Sequence, residues 1–282
     1  MTERFTAGLV QMRSGRTPEA NIAVAESLIR EAAAGGAAYI LTPEMTNILD
    51  RNAQATMAAA QLEAEDPALA RFRHLAEELR VWLHIGSLAV RGEAGVVDRG
   101  YLVDPDGAIA ARYDKIHMFD VDLPGGESWR ESRLYHPGNE AVVADLPWTR
   151  VGLTICYDLR FPQLFRALAH AGSTVIAVPA AFTRQTGQAH WHVLLRARAI
   201  ETGSFVLAAA QGGRHEDGRE TFGHSLAVDP WGRVLAEAED EPGVLLVEID
   251  PGQSLAVRQQ IPALKHDREF AHPAAIEVAR AS

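Results

Sequence analysis

Short apolar runs alternate with longer amphipathic stretches along the chain, the pattern of strands exchanging with helices. Residues 6–12 read as a strand and residues 18–34 as a helix, with Thr17 as N-cap and Pro18 at the first helical position, where its missing N–H does no harm. Strands are expected at 37–42, 82–90, 98–103 and 108–113, and a helix at 67–79 with Asp66 as its cap. The turn Pro105-Asp106-Gly107 joins the last two of these strands as a hairpin. A β-forming run at 150–155 leads into a turn and a helical stretch at 163–172. Further strands are expected at 174–178, 205–210, 225–228, 234–236 and 243–249, with a second hairpin turn at Asp229-Pro230-Trp231-Gly232. Residues 187–202 predict a helix whose apolar Val193, Ala197 and Ile200 fall at i, i+4 and i+7, and a short helix is expected near 251–259.

No Ser/Gly-rich linker, repeat or low-complexity stretch interrupts this pattern, so one α/β domain is expected, with hairpins and helix crossovers building a mixed sheet covered by helices on its outer faces. At 282 residues and 47% hydrophobic the chain can bury a core without disulfide staples. Its single cysteine excludes an intrachain disulfide, so nothing points to an oxidising compartment. The N-terminal residues lack a signal-peptide layout and no apolar run is long enough to span a bilayer, which predicts a soluble, cytoplasmic protein. A net charge of −10 without a basic block disfavours nucleic acid and anionic membrane as partners.

Three residues stand where strands end. Cys156 follows the run 150–155 in the string Thr154-Ile155-Cys156-Tyr157-Asp158-Leu159-Arg160-Phe161-Pro162, where a strand passes sharply into a helix and backbone N–H groups are free to meet an oxyanion. Glu44 follows Tyr39-Ile40-Leu41-Thr42-Pro43, whose proline disfavours helix at Thr42 and ends the strand cleanly. Lys115 follows the strand 108–113 within Tyr113-Asp114-Lys115-Ile116-His117. These three strings, in this order, resemble the motifs of the nitrilase-like carbon–nitrogen hydrolases, and the resemblance extends from about Phe5 to about Phe270. It implies a four-layer α-β-β-α sandwich over residues 1–270 with a C-terminal tail at 271–282, and a homodimer or larger homo-oligomer.

The resemblance also implies roles. Glu44 is the general base that takes the Cys156 proton, since a free thiol with pKa about 8.5 is only slightly ionised at neutral pH. Lys115 and the Tyr157 N–H face the oxyanion. Glu131 matches the second active-site glutamate, with Glu127 close by in the same loop. The stretches 189–202, 208–215 and 222–232 are most similar to the deaminated glutathione amidase and ω-amidase branch, which implies a small-molecule amide substrate with a 2-oxoglutaryl acyl half. An ω-amidase proper, an N-carbamoyl amino-acid amidohydrolase, a nitrilase or a non-catalytic binding protein on the same scaffold stay open. Arg160, Arg184 and Arg214 are candidates for a substrate carboxylate, which arginine binds bidentately, and Phe182 and Thr183 are candidate pocket walls.

Other features carry less. His190 and His192 are two apart on a predicted helix and point to different faces, so no metal site and no cofactor are expected. Gly125-Gly126 lacks the Lys-Ser/Thr of a phosphate loop and reads as a turn. Arg196 and Arg198 with Glu201 read as a surface or inter-element ion-pair helix. No serine has a Gly-x-Ser-x-Gly setting.

Overall fold

In the computed structural model, which describes residues 3–93, 95–124 and 126–271, the alternating runs assemble into two large sheets. Among the described residues the first has seven strands. Its path runs Gly243–Ile249, Phe5–Gln11, Tyr39–Leu41, Trp82–Arg91, Val96–Val103 and Ile109–Asp114, with the short Gln61–Leu62 beside Trp82–Arg91. The second has six, in the order Val234–Glu237, Leu226–Val228, Phe205–Ala208, Val175–Ala177, Arg150–Leu153 and Val142–Asp145. Each sheet holds three parallel strands side by side, and its remaining long pairings are antiparallel. Parallel neighbours need long crossovers. The helices Pro18–Ala34 and Pro67–Leu79 supply them in the first sheet, and Pro162–His170 and Arg184–Thr202 in the second.

Strand alternation sets the layers. Ala7, Leu9, Tyr39 and Leu41 share one buried cluster with Val151, Leu153 and Leu207 of the second sheet. Val10 and Ile40, pointing the other way, pack with Ile29 and Phe72 of the covering helices. On the far side, Phe165, Leu168, Trp191 and Leu195 cover the second sheet. The result is the expected four-layer α-β-β-α sandwich. The last strand pairs antiparallel with the first, from Phe5↔Ile249 to Gln11↔Gly243.

Several elements differ from the sequence reading. The helix expected at 187–202 begins three residues earlier, at Arg184, because Thr183 Oγ1 caps it by accepting the Thr186 N–H. Its core face is Trp191, Leu195 and Ala199, whereas Val193 and Ile200 are 68% and 55% exposed. The helix carries two apolar stripes, and the sequence stripe chosen was the outer one. Of the two readings of Arg198, the inter-element one holds: it is buried, pairs with Glu201 at 2.9 Å, and its Nε donates to the Leu159 carbonyl at 2.9 Å. Thr17 occupies the N-cap without a side-chain hydrogen bond, while Asp66 caps its helix by accepting the Leu69 N–H at 2.8 Å. The strand Val142–Asp145 and two small hairpins, Asp120–Asp122 with Ser128–Arg130 and Gly212–Arg214 with Glu220–Phe222, were not foreseen. Each is three or four residues long, too short for alternation to register. Residues 272–282, nearly all of the expected tail, and Gly125 of the Gly125-Gly126 turn lie outside the described residues. No helix among the described residues is long and apolar enough to cross a membrane.

Leu9 is fully buried between the sheets. Leu9→Ala is expected to lower the unfolding free energy by about 2–5 kcal/mol through lost burial and a residual cavity; urea unfolding followed by tryptophan fluorescence measures it, and a change below about 1 kcal/mol would contradict the inter-sheet packing described.

Candidate active site

The catalytic candidates come together where strands of both sheets end. Tyr39–Leu41 terminates in Thr42-Pro43, and Glu44 follows, 3% exposed. The turn is pinned on two sides. Thr42 Oγ1 accepts the Gly86 N–H at 3.0 Å, and Gln211 Nε2 donates to the Glu44 carbonyl at 3.0 Å. Met45 next to it adopts φ 57°. Opposite, Arg150–Leu153 runs through Thr154 and Ile155 into the short 3₁₀ turn Cys156–Arg160. Cys156 sits at φ 47°, a left-handed conformation that a non-glycine residue adopts only under constraint.

That constraint is visible. The Cys156 N–H donates to the Pro179 carbonyl at 2.9 Å. The buried Asp158 carboxylate accepts the Ile155 N–H at 2.9 Å, the Tyr113 hydroxyl at 2.6 Å and the His117 N–H at 3.1 Å. Asp158 thus ties the cysteine turn to the segment that carries Lys115. The Tyr157 N–H opens the short helix and has no backbone acceptor among the described residues.

Lys115 is 1% exposed, and its ammonium donates to Glu44 Oε1 at 2.7 Å and to Glu131 Oε1 at 2.6 Å. Glu131 Oε2 in turn accepts the Phe119 N–H at 2.5 Å. Glu127 lines the same cavity but pairs with Arg51 at 3.3 Å rather than with Lys115. A third carboxyl, Asp98 Oδ2, lies 3.8 Å from the same ammonium. Sequence reasoning passed over Asp98 because it stands in an apolar strand, where alternation reads it as an ordinary outward polar residue. Glu44, Asp98 and Glu131 offer three oxygens close enough for a cation, but the Lys115 ammonium occupies that position. Elsewhere, His192 and His224 both share Glu237 Oε1 at 2.8 Å on a half-exposed patch, a hydrogen-bonded arrangement that accounts for their proximity.

Glu44, Lys115, Glu131 and Cys156 open onto a cavity of about 570 Å³, which Tyr157, Phe182 and Thr183 also line. The three arginines proposed from sequence do not form its wall. Arg160 lies behind it, with its guanidinium 5.3 Å from the Phe182 ring centre and 5.7 Å from that of Tyr157, and its Nη1 3.2 Å from His190 Nδ1. Arg184 is an exposed residue of the first helical turn beside Glu220, and Arg214 is exposed on a hairpin strand. Thr183 spends its hydroxyl on the cap described above. The arginines on the wall are Arg51, Arg130, Arg133 and Arg219. Three of the four come from loops and hairpins that the sequence pattern did not resolve.

The family model for carbon-nitrogen hydrolases matches residues 6–259. The chain belongs to the carbon-nitrogen hydrolase family. This hydrolase is 42% identical to the deaminated glutathione amidase of Yersinia enterocolitica over 264 residues, 92% of each chain. Its fold is similar to the NitFhit protein of C. elegans, with a TM-score of 0.87 and 34% identity over 95% of this chain and 66% of that one. It also resembles the amidase from Nesterenkonia sp. AN1, with a TM-score of 0.77 and 26% identity over 92% of this chain and 98% of that one; the structure is of a variant showing Michael addition of acrylamide at the active site cysteine.

Electrostatics of the hydrolase site follow from burial. Desolvation alone would make Lys115 a weaker base, but Glu131 and Glu44 outweigh it and raise its pKa well above the ordinary lysine value. Burial pushes the Asp98 carboxyl well above the usual carboxylate range, and the Glu44 charge adds to it. Burial also raises Glu131, against the pull of Lys115. The Cys156 thiol is driven well above its ordinary value by burial first and the Glu44 charge second. Asp98 also lacks a hydrogen-bond partner among the described residues, a setting that disfavours an ionised carboxylate.

The sign of the Asp98 effect on stability is therefore fixed. Below the unfolded-state pKa of about 4 both states hold the proton; as pH rises through it, the unfolded chain alone ionises, so folding stability falls until the raised folded-state pKa is reached. Asp98→Asn removes this titration. Urea unfolding at about pH 4, 6 and 8 is expected to show the stability difference moving in favour of the variant as pH rises; a difference independent of pH would show that Asp98 ionises normally in the folded protein.

Proposed function

We propose that the protein is a thiol-dependent amidase that hydrolyses deaminated glutathione to 2-oxoglutarate and cysteinylglycine through a cysteinyl thioester. The observation that carries the reading is the buried Glu44–Lys115–Glu131 cluster sharing one cavity with a thiol held at a strained turn. The substrate class is supported by the likeness to relatives named deaminated glutathione amidase.

The chemistry runs as follows. Because the thiol is held neutral, its proton moves to the Glu44 carboxylate as Sγ attacks the amide carbonyl. The carbonyl oxygen becomes an oxyanion that faces the Lys115 ammonium and the Tyr157 N–H. Glu44 then gives its proton to the departing amine, the C–N bond breaks, and a thioester remains. A water molecule attacks that carbonyl while Glu44 takes its proton, and collapse of the second oxyanion releases the acid and restores the thiol. Glu131 holds Lys115 alongside Glu44 as a second carboxyl contact to the same ammonium. A free thiol nucleophile also suits a reducing compartment, in keeping with a cytoplasmic protein.

Purified enzyme is expected to release cysteinylglycine from deaminated glutathione faster than ammonia from 2-oxoglutaramate. Cys156→Ala is expected to abolish turnover, and Glu44→Gln to reduce kcat by about 10²–10⁴-fold. Mass spectrometry of wild type quenched during turnover is expected to show an acyl adduct on the peptide containing Cys156. Turnover by Cys156→Ala would remove the thioester mechanism, and hydrolysis restricted to 2-oxoglutaramate, carbamoyl compounds or nitriles would replace the substrate.

The same reading includes a homo-oligomer. The exposed Val193, Ile200, Trp231 and Ile261 are supporting features, since Ile200, Trp231 and Ile261 ring a cavity of about 500 Å³ that continues the outer stripe of the helix Arg184–Thr202. A second copy of this chain is the proposed occupant. Ile200→Asp is expected to shift the sedimentation mass towards the monomer, and an unchanged mass would direct the contact elsewhere.

A further inference from the structure

We propose that Arg219 and Trp129 form a carboxylate-binding subsite in the wall of the cavity that holds Cys156. Both line that cavity. The Arg219 guanidinium lies over the Trp129 ring at 4.3 Å from its centre, and the arginine side chain is 15% exposed. Arg219 Nε and Trp129 Nε1 are buried donors, and neither has a hydrogen-bond acceptor among the described residues. Buried donors without acceptors are rare in folded proteins, because leaving one unpaired costs about 1–3 kcal/mol. Both nitrogens are closed to a water-sized atom, so a carboxylate meets them only with a small shift of the stacked pair, whereas no hydrogen bond among the described residues occupies the Arg219 Nη atoms of this cavity-lining side chain.

The local charges favour an anion. The ion-pair partner of Arg219 is Asp217, whose Oδ2 is 3.7 Å from Nε, too long for a hydrogen bond. Asp217 is engaged by backbone: its Oδ1 accepts the Arg219 N–H at 2.8 Å and its Oδ2 accepts the Arg51 N–H at 2.9 Å. Asp217 therefore positions the two arginine backbones and only partly offsets the guanidinium. A second cation, Arg51, stands 5.0 Å from the Trp129 ring centre, although Glu127 pairs with it. Burial lowers the pKa of Arg219, ahead of the raising effect of Asp217, so an added negative charge at this position relieves an unfavourable situation. A guanidinium stacked on an aromatic face keeps its edge free, and that edge matches a planar carboxylate. Arg219 does not touch the reacting atoms in this account; it positions the substrate and sets specificity.

The inference rests on the amidase reading. Deaminated glutathione carries one carboxylate on its acyl half and another on the leaving amine, and the test separates them. In a Cys156→Ala background, which prevents turnover, titration calorimetry compares 2-oxoglutaramate with its methyl ester for the acyl half, and cysteinylglycine with cysteinylglycinamide for the amine half. One of the two carboxylates is expected to bind about tenfold or more tightly than its uncharged counterpart. Adding Arg219→Met is expected to erase that preference in the same arm, Arg219→Lys to restore part of it, and Trp129→Phe, which keeps the stacking and removes the Nε1 donor, to weaken it severalfold. A preference that survives Arg219→Met, equal losses for charged and uncharged partners, or no binding by any of the four ligands overturns the subsite. Wild-type turnover is read separately. Hydrolysis of deaminated glutathione without an Arg219-dependent preference keeps the amidase and discards the subsite; the preference without hydrolysis does the reverse.

Discussion

One buried ammonium organises this molecule's chemistry. The Lys115 side chain is almost wholly withdrawn from water and sits among the carboxyls of Glu44, Glu131 and Asp98. Removing a charge from water is expensive, and attraction between the partners compensates only when the geometry is held by something else. Here the backbone does the holding. The Lys115 N–H donates to the Asp98 carbonyl at 3.0 Å and its carbonyl accepts the Gly138 N–H at 2.8 Å. Three carboxyls around one cation would leave an excess of negative charge. The pressure falls on Asp98, whose carboxyl is pushed well above the usual carboxylate range by burial and the Glu44 charge, while Glu131 and Glu44 raise Lys115. An ammonium fixed before substrate arrives needs no reorganisation when an oxyanion forms, which is where such sites obtain most of their rate enhancement.

The nucleophile is held by a different device. A cysteine at φ 47° carries backbone strain of about 1–3 kcal/mol and persists only where its surroundings over-determine it. The Asp158 carboxylate meets the Tyr113 hydroxyl, the Ile155 N–H, and both the backbone N–H and the ring Nδ1 of His117, and Arg198 reaches the Leu159 carbonyl from the covering helix. Gln211 does the equivalent work at Glu44, bridging its carbonyl to Ser14. The cysteine turn and the glutamate turn belong to different sheets, so the packing between sheets aligns base and nucleophile. Their relative position is a tertiary property, carried by the buried side chains of the central layer.

This division explains what could be read from the sequence. Glu44 and Cys156 were legible because each closely follows an apolar run, with Pro43 marking one of the ends, and Lys115 was legible through the string Tyr113-Asp114-Lys115-Ile116-His117, which resembles a family motif. Helix limits at Pro18 and Pro67 were legible because proline and the Asp66 cap act within one turn. Facing was not legible. The helix Arg184–Thr202 presents two apolar stripes, and only the sheet beneath it selects Trp191, Leu195 and Ala199 over Val193 and Ile200. The arginines failed for a related reason. Arg214 and Arg219 lie on either side of one hairpin turn, with Arg214 facing Glu220 in the ladder, and only the three-dimensional turn sends Arg219 into the cavity while Arg214 meets solvent.

The two halves of the electrostatics also pull against each other, and their balance dictates the order of events. The Glu44 charge that strengthens Lys115 as a fixed cation adds to burial in raising the Cys156 thiol, because a carboxylate that stabilises an ammonium repels a thiolate. A preformed thiolate–cation pair is therefore disfavoured here, unlike in sites where a neighbouring imidazolium stabilises the sulfur anion. In the proposed mechanism, sulfur attack and proton transfer to Glu44 therefore proceed together. As the proton reaches Glu44, that carboxyl becomes neutral and its hold on Lys115 weakens, just when negative charge builds on the substrate oxygen. Glu131, fixed from the other side by the Phe119 N–H, keeps the ammonium in place through that change. On the proposed mechanism the second glutamate is needed because the first acts as a base: a cation held only by the group that titrates would lose its anchor in the transition state it serves.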